Sequence, residues 1–435
     1  MSAVISASDH LGERAPQDGE WRELVRFARE RSPYYRDLYQ DAPAHPGALA
    51  EMPVVDLRSF WAAHRRPVSG VLTGPHHDGI VFATGGTTGE PKRTTYSREE
   101  FRATSTVSAA CMTRAGLRAG DRVANLLYAG DLYMSFLYAT HALRDSPLPV
   151  VELPVGGHIP NDRVAQIMEG DHATVAIGTA SALASLAAHL SRHGRELPRV
   201  RLLLYGGEAL HHDQRDLLAR AFPRARPAPY AYVSVDAGIL GTPDLDPGAG
   251  ELVHYRPAEP HTILEIVDPD TGEPITEPGR TGAVLATSLL RRLMPVIRYP
   301  VGDQAQWTDK GCRRLRLLGR TIGHARVGTT TIDLDVLRSC INALSNNGGP
   351  VALQTVLRHR DTMDELVLRI VGSTPDPTAY HRALEAHLHT THPSFDEEVT
   401  EGRLHRLVIE WVTPDQLDTH PRTGKALPLI DERHP

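Results

Sequence analysis

The chain has 435 residues, long enough to bury a large core and to divide into more than one domain. Apolar residues make up 41% and charged residues 23%, an ordinary globular balance, and a net charge of -6 excludes the basic footprint of a nucleic-acid binder. Three scattered cysteines, Cys111, Cys312 and Cys340, exclude a disulfide framework and a cysteine-rich zinc site.

From the N-terminus, Met1–Glu20 is polar and lacks the apolar core of a signal peptide, and no apolar run spans a bilayer. A cytoplasmic enzyme without membrane partners is therefore the expectation. Trp21, Leu24, Val25 and Ala28 have helical spacing, interrupted at Ser32-Pro33. Ile80–Ala83 reads as a strand end and leads into Thr84-Gly85-Gly86-Thr87-Thr88-Gly89-Glu90-Pro91-Lys92. Glycines there can turn backbone N–H groups toward one point, and threonines add hydroxyl donors, which makes an anion nest. A Gly-rich hairpin turn is the plain alternative. The Walker A spacing is absent.

Pro149–Leu153, Ala173–Thr179 and Val200–Tyr205 read as buried parallel strands, the last ending in Gly206-Gly207-Glu208. Asp162–Glu169 and the Ala182, Leu183, Leu186, Ala187, Leu190 stripe read as helices between them. Such alternation predicts α/β layers with ligands at strand C-terminal ends. Thr262–Val267, the turn 268–273 and Gly282–Thr287 read as β-structure. Beyond Gly319 the pattern is that of a small α+β unit, with strands at Leu366–Val371 and Leu404–Val412 and a helix at Asp376–His389. Two domains are expected, 1–318 and 319–435.

Only three of the 47 basic residues are lysines: Lys92, Lys310 and Lys425. An ammonium is a compact charge that a guanidinium does not imitate, so Lys92 at the end of the Gly/Thr stretch and Lys425 after Thr423-Gly424 stand out. The 23 histidines show no His-Glu-x-x-His pattern, so solvated surface histidines explain them better than a metal site does.

Taken in order, Leu24–Tyr35, Thr84–Lys92, Gly156-Gly157-His158, Gly206-Gly207-Glu208, Arg298-Tyr299-Pro300-Val301-Gly302-Asp303 and Arg422-Thr423-Gly424-Lys425 with Asp431 resemble the motifs of adenylate-forming enzymes. The resemblance is greatest to the phenylacetate–CoA ligase branch and covers nearly the whole chain. It implies a large N-terminal adenylation domain of layered α/β and β subdomains, and a small mobile α+β lid carrying Lys425. The implied reaction converts an aromatic acid and ATP into an acyl-adenylate and pyrophosphate, with Mg²⁺, and then transfers the acyl group to CoA. A carrier-protein thiol or an amine is the alternative acceptor, and a non-catalytic nucleotide- or acyl-binding homologue is the alternative class. A homodimer is compatible with it.

By the same resemblance, Thr84, Gly85, Gly86, Thr87, Thr88 and Gly89 would hold phosphates with support from Lys92. Lys425 would bridge the substrate carboxylate and the α-phosphate. Asp303 would accept both ribose hydroxyls, Tyr232 would stack on adenine beside Gly207 and Glu208, and Arg320 would face the nucleotide. Arg298 is structural or binds phosphate. The acyl pocket would involve Tyr133, Met134, Phe136, His158, Tyr205 and Gly206. Two departures stand out. The family's Y-G-x-[ST]-E is Tyr232-Val233-Ser234-Val235-Asp236, which puts the shorter Asp236 at the Mg²⁺ position. The hinge G-R-x-D-D is Gly319-Arg320-Thr321-Ile322-Gly323, without its aspartates.

Overall fold

The computed structural model describes residues 18–83, 92–157, 159–208, 210, 212–244, 253–269, 271–320, 324–344, 353–371, 376–413, 416–418, 427 and 429–433. Helix α1 (Asp18–Arg31) buries Trp21, Leu24, Val25 and Ala28 along one face. Ser32-Pro33 is where it gives way to α2 (Pro33–Leu38). The Ser32 hydroxyl accepts from the Tyr35 N–H, and Pro33 fits a first helical turn, where no N–H is needed. A further helix, α3 (Leu57–His64), buries Phe60 and Trp61.

The Gly/Thr stretch joins β1 (Gly79–Ala83) to its antiparallel partner β2 (Arg93–Ser97). Ser97 and Glu100 then form a capping box that starts α4 (Arg98–Arg114). Next comes a parallel sheet of β3 (Arg122–Asn125), β4 (Val151–Pro154), β5 (Val175–Gly178), β6 (Leu202–Tyr205) and β7 (Arg226–Pro229), in the order β4-β3-β5-β6-β7. It alternates with α5 (Ser135–Asp145), α6 (Asn161–Gly170), α7 (Ala180–Arg192) and α8 (His212–Ala221). Strand β6 is buried along its length. Leu202 and Leu204 enter one apolar core, and Leu203 and Tyr205 enter another on the opposite face. Coverage on both faces explains the unbroken apolar run in its sequence.

A seven-stranded antiparallel sheet follows, in the order β11-β12-β13-β14-β10-β9-β8. Its members are β8 (Tyr232–Ser234), β9 (Gly238–Asp244), β10 (His254–Pro257), β11 (Thr262–Val267), β12 (Thr281–Ser288), β13 (Val296–Trp307) and β14 (Leu315–Arg320). One of its faces packs on α1 to α3. Sequence periodicity did not predict β13, which carries Arg298–Asp303 and kinks. Ala286 pairs with Tyr299 but Ser288 pairs with Val296, so Ile297 and Arg298 form a bulge.

The chain ends in a hairpin of β15 (His324–Val327) and β16 (Thr330–Asp333), then α9 (Leu334–Leu344) and a sheet ordered β19-β18-β17-β20. This sheet comprises β17 (Leu353–Arg360), β18 (Met363–Val371), β19 (Val408–Val412) and β20 (Leu429–Asp431), packed by α10 (Pro377–Thr391) and α11 (Pro393–Thr400). Its apolar core draws on residues from Ala325 to Leu407. The strand expected from Leu404 begins only at Val408. Leu404 makes an isolated bridge to Asp364, and its side chain is buried in that core. No described helix is long and apolar enough to cross a membrane.

Candidate active site

Among the described residues, the motifs are linked at the end of β6, which packs on Tyr230 just before β8, and by a side-chain bond from β8 to β13. Gly206 lies against Tyr230: a Cβ on it would stand 2.5 Å from the Tyr230 ring, and Tyr230 N donates to Tyr205 O at 3.1 Å. Gly207 takes φ +85°, a conformation that favours glycine. Two residues beyond Tyr230, the Tyr232 hydroxyl donates to Asp303 Oδ2 at 2.6 Å. Gly302, at φ +85° within β13, immediately precedes Asp303. Asp303 in turn pairs across the sheet with Arg320.

Asp236 is 8% exposed, and its Oδ2 accepts from the Tyr299 hydroxyl at 2.8 Å. Trp61 Nε1 donates to the same hydroxyl at 3.2 Å, and Lys92 Nζ lies 5.8 Å from the centre of the Trp61 ring. The Tyr96 hydroxyl, on the strand that follows the Gly/Thr stretch, donates to Val235 O at 2.6 Å. A buried carboxylate is a hard oxygen donor that suits Mg²⁺. Among the described residues no group of three or more His, Cys, Asp or Glu gathers for a metal.

Glu208 does not point freely into the site. Ser181 N and Oγ both donate to its Oε1, at 2.6 Å each, at the start of α7. Burial raises its pKa, the Ser181 bonds oppose the rise, and Asp364 and Arg326 of the C-terminal part are close enough to act on it. Facing it is Glu398 of α11, whose pKa is pushed up to about 7, first by burial and then by Glu208. Arg326 also approaches Gly207, with Nη2 3.6 Å from where a Cβ would be.

The acyl-pocket group expected from sequence is split. Met134 and Phe136 pack in the core that holds Tyr230, whereas Tyr205 packs under α7 and α8 on the other face of the parallel sheet. Tyr133 turns toward Arg326, Glu398 and Thr329 of the C-terminal part. Arg298 is structural. It is buried, at φ +44°, and its guanidinium binds Glu265 Oε2 (3.1 Å) and the carbonyls of Ala50 (3.0 Å), Met52 (2.7 Å) and Gly272 (3.3 Å). At the segment expected to be the hinge, Asp431 Oδ2 from β20 lies 3.7 Å from a Cβ position on Gly319. Thr84, Gly85, Gly86, Thr87, Thr88, Gly89, His158 and Lys425 lie outside the described residues, as does the Arg320 side chain.

Sequence reasoning missed Tyr299, Trp61 and Tyr96 as parts of this site. One signal was available: Tyr232/Asp236 and Tyr299/Asp303 share the spacing Tyr-x-x-x-Asp. Nothing in the sequence marked Glu398.

The fold is that of the adenylate-forming enzymes. A solved structure of 2-hydroxyisobutyryl-CoA ligase with its acyl-adenylate and CoA, in the thioesterification state, matches with a TM-score of 0.73 at 24% identity, covering 96% of this chain and 89% of that one. The same ligase in its postadenylation state matches at 0.61 and 22% identity, covering 95% and 88%. The amide bond synthetase McbA of Marinactinospora thermotolerans matches at 0.55 and 20% identity, over 80% of this chain and 67% of that one. Within that fold, the sequence relatives are phenylacetate–CoA ligases. The protein of that name from Thermus thermophilus is 27% identical over 391 residues, 83% of this chain and 82% of that protein. No family model matches.

Proposed function

We propose that the protein activates an aromatic carboxylic acid with ATP, forming an acyl-adenylate and pyrophosphate, and then transfers the acyl group to the thiol of CoA. The observation that carries this reading is that the motif residues are tied pairwise: Gly206 packs on Tyr230, two residues before Tyr232, Tyr232 bonds Asp303, and Tyr299 of the Asp303 motif bonds Asp236. Asp303, with a bidentate acceptor, binds the ribose hydroxyls, and Tyr232 packs by the adenine. Asp236 would hold Mg²⁺, an ion that would supply positive charge against the phosphates. The Gly/Thr loop and Lys92 grip the β- and γ-phosphates. Lys425 aligns the acid's carboxylate with the α-phosphate and stabilises charge that grows in the transition state. In the second step the thiol sulfur attacks the acyl carbonyl and AMP leaves. Residues 319–435 form the lid, a division supported by the separate core from Ala325 to Leu407. ATP and CoA as reactants put the enzyme in the cytoplasm.

The test is pyrophosphate release from ATP with a panel of benzoic, phenylacetic and cinnamic acids. Release that depends on the acid is expected, and silence across the panel would sink the reading. Lys425→Ala is expected to slow release by about 10² to 10³-fold; an unchanged rate removes that lysine from the chemistry. Adding CoA separates the acceptors. A thioester supports the proposal, while acyl-adenylate that reacts only with added amines makes the enzyme an amide synthetase.

A further inference from the structure

The two site carboxylates are held by a swap. Tyr232 and Asp236 belong to one Tyr-x-x-x-Asp segment, Tyr299 and Asp303 to another. The bonds cross between the segments: Tyr232 donates to Asp303 at 2.6 Å, and Tyr299 donates to Asp236 at 2.8 Å. Each tyrosine also sits beside an irregularity in its strand. The register shifts between Tyr232 and Val233, and again across the bulge at Ile297 and Arg298 that precedes Tyr299. Bulges re-aim side chains, and here they aim two hydroxyls across the gap between segments.

The direction of the Tyr299 bond is fixed by its other neighbour. An indole N–H can only donate, so the Trp61 contact at 3.2 Å occupies a lone pair of the Tyr299 oxygen and leaves its hydrogen for Asp236. Trp61 also carries the Lys92 ammonium 5.8 Å from its ring centre. A line of contacts therefore runs Lys92–Trp61–Tyr299–Asp236, from the end of the phosphate loop to the carboxylate. The Tyr299 ring is 2% exposed and meets Phe60 edge-on at 5.5 Å, so the hydroxyl has little room to wander. Tyr96, which donates to Val235 O, fixes the backbone just before Asp236.

We propose that Tyr299 is the positioning residue for the Asp236 carboxylate. It holds one oxygen so that this short side chain meets a divalent cation bound with ATP, and Trp61 orients Tyr299 for the task. This rests on the adenylation reading, and its test reads metal binding rather than turnover. Mn²⁺ affinity is measured by electron paramagnetic resonance on the full chain with a non-hydrolysable α,β-methylene ATP, for wild type, Tyr299→Phe, Trp61→Phe and Tyr232→Phe.

Tyr299→Phe is expected to weaken Mn²⁺ by about ten-fold, the scale of a lost hydrogen bond to a charged group, with metal-free nucleotide affinity unchanged. Trp61→Phe keeps the hydroxyl and removes only the donor that orients it; a smaller weakening, about three-fold, is expected. It gives a reading that does not depend on how well Tyr299→Phe folds. Tyr232→Phe is expected to weaken the nucleotide itself and leave Mn²⁺ affinity for the bound nucleotide as in wild type. Equal Mn²⁺ affinity in wild type, Tyr299→Phe and Trp61→Phe overturns this inference alone, as does a Tyr299→Phe protein that only melts earlier. A wild type that binds no metal–nucleotide complex overturns the adenylation reading along with it.

Discussion

Gly206 has no room for a side chain, because a Cβ there would meet the buried Tyr230 ring at 2.5 Å. Both sides of that contact are core, so the strain cannot be shed into solvent. Gly206→Ala is expected to lower stability by about 1–3 kcal/mol, the range for overpacking, read as a shift of the denaturant midpoint at constant slope. An unshifted midpoint would mean that the ring moves freely. Arg298 is the same kind of residue in a different guise. Read from its motif it could have bound phosphate, but its guanidinium is spent on Glu265 and three carbonyls. Its left-handed backbone forms the bulge before Tyr299, so its role in the site is to shape the strand.

The β1–β2 hairpin presents the Gly/Thr stretch, and its base is clamped by one ion pair. Arg291 is fully buried, stacks 3.5 Å from the Tyr96 ring centre, donates to Thr95 O at 2.8 Å and faces Glu100 at 3.3 Å. Glu100 also accepts from Arg292 N and Leu293 N, at 2.5 and 2.6 Å. The hairpin, the start of α4 and the loop before β13 are thereby one unit. Removing one partner of a buried pair leaves the other charge uncompensated. Arg291→Met is expected to cost about 3–5 kcal/mol in equilibrium unfolding, more than the loss of any surface pair on this chain. A cost under about 1 kcal/mol would show that the clamp is not rigid.

Across the whole molecule, the N- and C-terminal parts meet through carboxylates held close together. Glu398 accepts from Thr329 N at 3.2 Å and Thr330 Oγ1 at 3.1 Å, with the Thr329 hydroxyl also bonded to it. Arg403 acts on it from its own side and Glu208 faces it from the other, next to Tyr133 and Tyr128. Nearby, the Tyr128 hydroxyl donates to Glu401 at 3.3 Å, Arg403 stacks over the Tyr128 ring at 5.0 Å, and Gln214 donates to Thr362 O at 3.0 Å. Burial and then Glu208 lift the Glu398 pKa from 4.5 to about 7. Between those values the folded protein keeps a proton that the unfolded chain has released, so stability falls as pH rises through this window. Melting temperature is expected to drop between roughly pH 5 and pH 8, and Glu398→Gln to flatten that dependence. An equal slope in the variant would assign the effect elsewhere.

The fold class was legible because burial leaves a local imprint. Buried parallel strands such as Leu202–Tyr205 must be apolar throughout, and amphipathic α1 and α7 must repeat at helical spacing. Glycine motifs were legible for a related reason, since backbone conformations such as those of Gly207 and Gly302 favour one residue type. Strand β13 was hidden because its bulge breaks the period of two, and the start of β19 was read four residues early, at Leu404, because a buried side chain need not lie on a strand. What only the tertiary structure decided is which side chain serves which. Tyrosine has no spacing rule that says whose carboxylate its hydroxyl meets, and the partners here lie 71 and 63 residues apart. The sequence by itself determined the order of the motifs and the chemistry they can carry. The swap between Tyr232 and Tyr299, the split of Met134 from Tyr205 and the facing of Glu208 and Glu398 came from packing, because contacts between distant segments depend on how strands bend and faces meet.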